Sequence, residues 1–151
     1  MELSKDWREF LALLESAEVR YLVVGGLAVV AHGYVRMTGD IDFWIATDAD
    51  NADRVAAVIA EFGFHEAGLK PADFMTPNQV FMFGRPPQRI DLLTSISGCE
   101  FEDCFARRIT IALGGVQVPF LSLPDLLTNK RATGRLKDLA DVEEFERAGL
   151  A

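Results

Sequence analysis

Cysteine and histidine are scarce in this chain of 151 residues, with two of each. Cys99 and Cys104 are too few for a disulfide framework, and no histidine stands near them to complete a zinc site. They are expected to be reduced thiols in a loop. Long apolar runs are missing too, since none approaches the roughly 18–20 residues that cross a bilayer. The opening Met1-Glu2-Leu3-Ser4-Lys5-Asp6 enters a charged amphipathic pattern at once and does not resemble the apolar segment of a secretory signal. A cytoplasmic protein with no membrane partner is expected. Positive charge is also in deficit. The formal net charge is −8, and a broad negative field repels nucleic acid, so a polynucleotide would have to be met by a local basic patch.

What is present is a globular composition, with 50% of residues apolar and 25% charged, in a length that suits one domain over residues 1–151. Ser4 can cap a first helix whose apolar face is Trp7, Phe10, Leu11 and Leu14. Tyr21-Leu22-Val23-Val24 reads as a short buried strand, stopped by Gly25-Gly26. A helix follows on Leu27, Val30, Ala31 and Tyr34, with Gly33 near its end. The next strand covers Ile41 to Ile45. A third helix, on Val55, Val58, Ile59 and Phe62, starts in the acidic turn Asp48 to Asp53. Hairpins are expected across Gly84-Arg85-Pro86-Pro87-Gln88 and across Gly114-Gly115. Ser122-Leu123-Pro124-Asp125 starts a helix that ends near Gly134, and a last helix carries Leu139, Val142 and Phe145. The order predicts an α/β or α+β fold, a central mixed β-sheet flanked by helices.

The chemistry concentrates between Val24 and Asp42. Glycines between a strand and a helix let the backbone approach a ligand, and free N–H groups at the helix start favour phosphate oxygens. Side chains alternate along a strand, so Asp40, Asp42 and Trp44 share one face while Ile41, Phe43 and Ile45 share the other. Two like charges so close are tolerable when solvated, protonated or neutralised by a cation, and Mg²⁺ prefers a few carboxylates with water and phosphate. Spacing alone leaves two readings open: a metal site, or an exposed strand edge carrying two solvated acids. His32 is expected to be structural or exposed, and His65 to lie on a surface loop. Phe43, Trp44, Phe81 and Phe83 are expected in the core.

Gly25-Gly26, a helix, then Arg36-x-Thr38-x-Asp40-x-Asp42 resembles the signature of the DNA-polymerase-β-type nucleotidyltransferases. It is closest to the small bacterial branch that includes AbiEii-type toxins. The run from Leu123 through Lys130 and Asp138 to Asp141 is similar to that branch's second signature. The resemblance implies a nucleotidyltransferase fold that presents Asp40, Asp42 and Asp91 to two metal ions, Mg²⁺ or Mn²⁺. It implies transfer of a nucleoside monophosphate from an NTP to an acceptor hydroxyl on RNA or tRNA, protein or a small molecule. A third acid such as Asp91 could take the proton of that hydroxyl. Gly25 and Gly26 are then nucleotide-binding, as are Arg36 and Thr38 on the loop before the acids. Lys130 is expected on triphosphate oxygens, with Asp138 in support. Many members carry Gly-Ser where this chain has Gly26-Leu27, and that serine helps hold the triphosphate. The alternative is a catalytically degenerate protein of the same fold that binds nucleotide or a partner. The branch also raises a toxin paired with a cognate antitoxin.

Overall fold

The computed structural model describes residues 2–64 and 68–151, so His65 lies outside the described residues. Helix α1 spans Lys5–Ser16, and its Ser4 cap accepts a hydrogen bond from the Trp7 amide at 3.2 Å. Strand β1 (Tyr21–Val24) runs into helix α2 (Gly25–Ala31), and strand β2 (Asp40–Ile45) into helix α3 (Ala49–Ile59). The Asp48 side chain caps α3 by accepting from the Asn51 amide at 3.1 Å. Strands β3 (Val80–Phe83) and β4 (Arg89–Leu93) form the first hairpin, and β5 (Ile109–Leu113) and β6 (Val116–Phe120) the second. Helix α5 (Leu123–Thr133) is capped by Ser122 and ends at Gly134, whose φ of +66° closes the helix in the left-handed region that glycine favours. Helix α6 (Leu136–Arg147) follows, with Val142 and Phe145 buried and Leu139 partly exposed.

These strands make one six-stranded mixed sheet in the order β3-β4-β2-β1-β6-β5. The β1–β6 and β2–β4 pairs are parallel and the others antiparallel. Helices flank the sheet. On one face Tyr21, Phe43 and Leu92 are buried, and Phe10 of α1 meets the Phe43 ring at 5.3 Å. The opposite face carries Asp42 and Asp91 in one row and Trp44 and Leu93 in the next.

Several sequence expectations change here, and the helix bounds are among them: α2 stops before Tyr34 and α3 before Phe62. Cys104 is not in a loop. It is buried on a short helix, α4 (Phe101–Ala106), which has only six residues and no side-chain cap and so leaves a weak trace in the sequence. Strand β2 also starts one residue early, because Asp40 pairs in register with Arg89. The expected core aromatics hold: Phe43, Trp44 and Phe83 are buried, and Phe81 is partly so, packed 5.0 Å from Phe74. No helix among the described residues is long and apolar enough to cross a membrane.

Candidate metal and nucleotide site

Strand β2 lies between β4 and β1, so its acids are not on a sheet edge. The parallel register sets Asp42 opposite Asp91 and Asp40 opposite Arg89. Neighbouring strands are about 4.8 Å apart, so in-register residues on one face necessarily crowd. Asp40, Asp42 and Asp91 each offer a carboxylate oxygen, and these oxygens all lie within 4.8 Å of one another. Asp91 is buried, and Asp40 and Asp42 are half-buried.

The electrostatics follow from that crowding. Burial pushes the Asp42 carboxyl up to about 7, the charges of Asp40 and Asp91 push it the same way, and Arg89 only partly offsets them. Arg89 donates from Nε and Nη2 to the two Asp91 oxygens at 2.8 and 2.9 Å, and from Nη2 to Asp40 Oδ2 at 2.7 Å. Three carboxylates crowded in this way, with the charged form of Asp42 disfavoured, suit a divalent cation, since hard carboxylate oxygens are what Mg²⁺ and Mn²⁺ bind. The donor set fits a metal ion.

The glycine turn abuts the acids. Gly25 adopts a φ of +66°, and a β-carbon there would overlap the Asp42 carboxylate and come 3.0 Å from its Cγ. A β-carbon on Gly26 would come 2.7 Å from Thr38 Oγ1 and 3.3 Å from a terminal nitrogen of Arg36. Gly25 therefore needs glycine for both space and backbone, and a side chain at Gly26 would have to displace Thr38. Thr38 donates to the Asp40 carbonyl at 3.0 Å, which ties the loop to the start of β2. Leu27 is buried with the hydrophobic core. His32 has a structural contact, its Nε2 lying 2.8 Å from the Leu121 carbonyl oxygen.

Lys130 and Asp138 form a second cluster, carried by α5 and α6. Lys130 Nζ sits 2.9 Å from Asp138 Oδ1 and 2.9 Å from Asp141 Oδ2, and all three residues are buried. Asp138 also accepts from Thr133 at 2.7 Å and from Arg135 at 2.9 Å. Arg36 donates through Nε and Nη2 to both oxygens of Asp141 at 3.1 Å, so it is paired with this cluster and not with the three acids. Asp141 thus joins the C-terminal helices to the loop that leads into β2.

Sequence reasoning gave no role to Arg89 or Asp141. Arg89 stands two residues before Asp91 on a strand, which puts both on one face; Asp141 follows Asp138 by one helical turn. Those spacings were the available signals. Two surface hollows near Phe101, at the other end of β2, include none of the three acids.

A family model described as a nucleotidyltransferase of unknown function (DUF6036) matches residues 2–148. The fold is similar to a crystal structure from Thermotoga maritima described as a "putative nucleotidyltransferase", with a TM-score of 0.57 and 14% identity over 94% of this chain and 91% of that one. That likeness identifies the nucleotidyltransferase fold. No curated protein matches the sequence.

Proposed function

We propose, from the premise that this chain belongs to the nucleotidyltransferase family DUF6036, that it moves a nucleoside monophosphate from an NTP to an acceptor hydroxyl. The observation that carries the reading is the convergence of Asp40, Asp42 and Asp91 beside the Gly25-Gly26 turn. The acceptor oxygen attacks the α-phosphorus as its proton leaves, the bond from that phosphorus to the bridging oxygen breaks, and pyrophosphate departs. Two divalent ions, when bound, would supply charge stabilisation for the attacking and leaving oxygens. Asp40, Asp42 and Asp91 hold them in this reading, and Asp91 takes the proton. In this reading the backbone amides of Gly25 and Gly26 would meet the phosphates, and the protein's further contribution is position and charge.

Arg36, Thr38, Lys130 and Asp138 support that nucleotide site in the proposal. Lys130 is enclosed by two carboxylates, so its role is to fix Asp141 and through it Arg36, which borders the glycine turn. The second signature, from Leu123 to Asp141, supports a place in the AbiEii-like branch, and with it a toxin opposed by an antitoxin.

Purified protein with Mg²⁺ or Mn²⁺ and α-labelled NTPs, offered tRNA, protein and small hydroxyl acceptors, tests the reading. Label should pass to one acceptor class and be lost in Asp42→Asn. No labelled acceptor, together with metal and NTP binding unchanged in Asp42→Asn, would refute it. NTP binding without transfer to any acceptor would favour the non-catalytic alternative.

A further inference from the structure

Arg89 spans two of the three carboxylates that the proposed reaction uses as metal ligands. Its guanidinium makes a two-pronged contact with Asp91 and reaches Asp40 with the same Nη2, while Asp42 receives no hydrogen bond from it. Bidentate, charge-assisted pairs of this kind are among the stronger hydrogen bonds. A dication drawing on Asp40 and Asp91 must compete for those oxygens, and at such range it repels the guanidinium.

The strand explains the arrangement. Arg89 and Asp91 are alternate residues of β4 and share a face, and the parallel register puts Arg89 directly opposite Asp40. Exposure then separates Arg89 from Lys130. The Lys130 side chain is 4% exposed between Asp138 and Asp141, whereas that of Arg89 is 28% exposed. Lys130 is a fixed part of the interior. Arg89 has a route to water.

We propose that Arg89 is a built-in counter-ion of the acid cluster, which neutralises Asp40 and Asp91 in the metal-free protein and yields them when a divalent ion binds. This rests on the metal-site reading above. Affinity for the ion alone is held down by the guanidinium that must be displaced. A bound triphosphate offers that guanidinium another anion, so metal and nucleotide bind with positive coupling.

The test measures Mn²⁺ binding by calorimetry to the wild-type protein, Arg89→Ala and Arg89→Lys, with metal alone and then with a non-hydrolysable NTP analogue. Without nucleotide, Arg89→Ala should bind Mn²⁺ about tenfold tighter or more, as expected on losing a competing charged hydrogen bond. Arg89→Lys should fall between. The analogue should raise Mn²⁺ affinity more in the wild type than in Arg89→Ala. In the wild type, the Arg89 Nε–H signal should exchange slowly with solvent when metal-free and faster at saturating Mg²⁺.

Equal or weaker Mn²⁺ binding by a folded Arg89→Ala would overturn the proposal, and so would Nε–H exchange that saturating Mg²⁺ leaves unchanged. Arg89 would then serve only to hold the carboxylates in place. Should Arg89→Ala not fold, the exchange measurement on the wild type decides alone. Asp42→Asn separates this failure from a deeper one. If it leaves Mn²⁺ binding intact, the metal-site reading itself falls. If it abolishes binding while Arg89→Ala gains none, only the role of Arg89 is lost.

Discussion

A β-carbon on Gly25 would overlap the carboxylate of Asp42. The glycine closes β1 and opens α2, Asp42 sits mid-strand in β2, and β1 and β2 are antiparallel with Val24 opposite Asp42. The turn that lets a helix start after β1 is thus the wall against which one of the acids rests. Glycine is required twice over, by this contact and by its φ of +66°.

Gly25→Ala should therefore disturb both fold and site. The left-handed backbone costs a residue with a side chain about 1–2 kcal/mol, and the overlap with Asp42 adds to it. A total of about 2 kcal/mol or more corresponds to a fall of roughly 5 °C in melting temperature for a chain of this size. Mn²⁺ affinity should fall as well, because Asp42 must move. Thermal unfolding together with calorimetry checks this, and a variant with wild-type values in both would remove the proposed wall.

Asp42 gives a pH and metal signature. Its carboxyl is pushed up to about 7, first by burial and then by Asp40 and Asp91. A group that binds its proton more tightly when folded stabilises the fold fully at pH below its ordinary value near 4, and that contribution is lost as pH rises through about 7. Metal-free protein should accordingly lose stability from this source between about pH 4 and pH 7. Divalent ions should act in the opposite sense, with the largest gain above pH 7, where no proton competes. Mn²⁺ at about a hundred times its Kd would add about 2.7 kcal/mol, or roughly 5–10 °C. Metal-free Asp42→Asn should melt at or above the wild type at pH 8 and should not respond to Mn²⁺. Melting curves in EDTA and in excess Mn²⁺ across this pH range decide the matter; a wild type indifferent to both would count against a metal site.

Local signals carried most of the fold. Ser4 and Ser122 announced helix starts because their hydroxyls can accept from an unpaired amide of the first turn, and Gly114-Gly115 marked a hairpin because two successive positive φ values favour glycine. The shared face of Asp40 and Asp42 followed from strand alternation alone. What alternation could not supply was the neighbour. Arg89 lies 49 positions from Asp40, and Arg36 lies 105 from Asp141, so each pairing exists only after the strands and helices have docked. The position of Asp91 was anticipated through resemblance to a family, whereas its physical cause is the in-register parallel pairing of β2 and β4. Helix α4 escaped notice because six residues without a cap give little periodicity to read.

Lys130 shows how far a motif's residue types can be read without its packing. Its ammonium lies between Asp138 and Asp141, and Asp141 in turn holds the Arg36 guanidinium through both oxygens. Removing one partner from a buried ion cluster leaves uncompensated charge, which costs about 3–5 kcal/mol. Lys130→Met should therefore lower the melting temperature by about 10 °C. Burial by itself would raise the Asp138 carboxyl, but hydrogen bonds from Thr133 and Lys130 outweigh it and hold the group below its ordinary range. The stability that this depressed carboxyl confers is present above its unfolded value near 4 and is lost as pH falls through the lower folded value. Lys130→Met should accordingly weaken this acid-linked loss, which pH-dependent melting would show. A lysine that instead gripped a triphosphate from an open cleft would behave in the opposite manner. Its loss would leave the melting temperature near that of the wild type and would reduce NTP affinity alone.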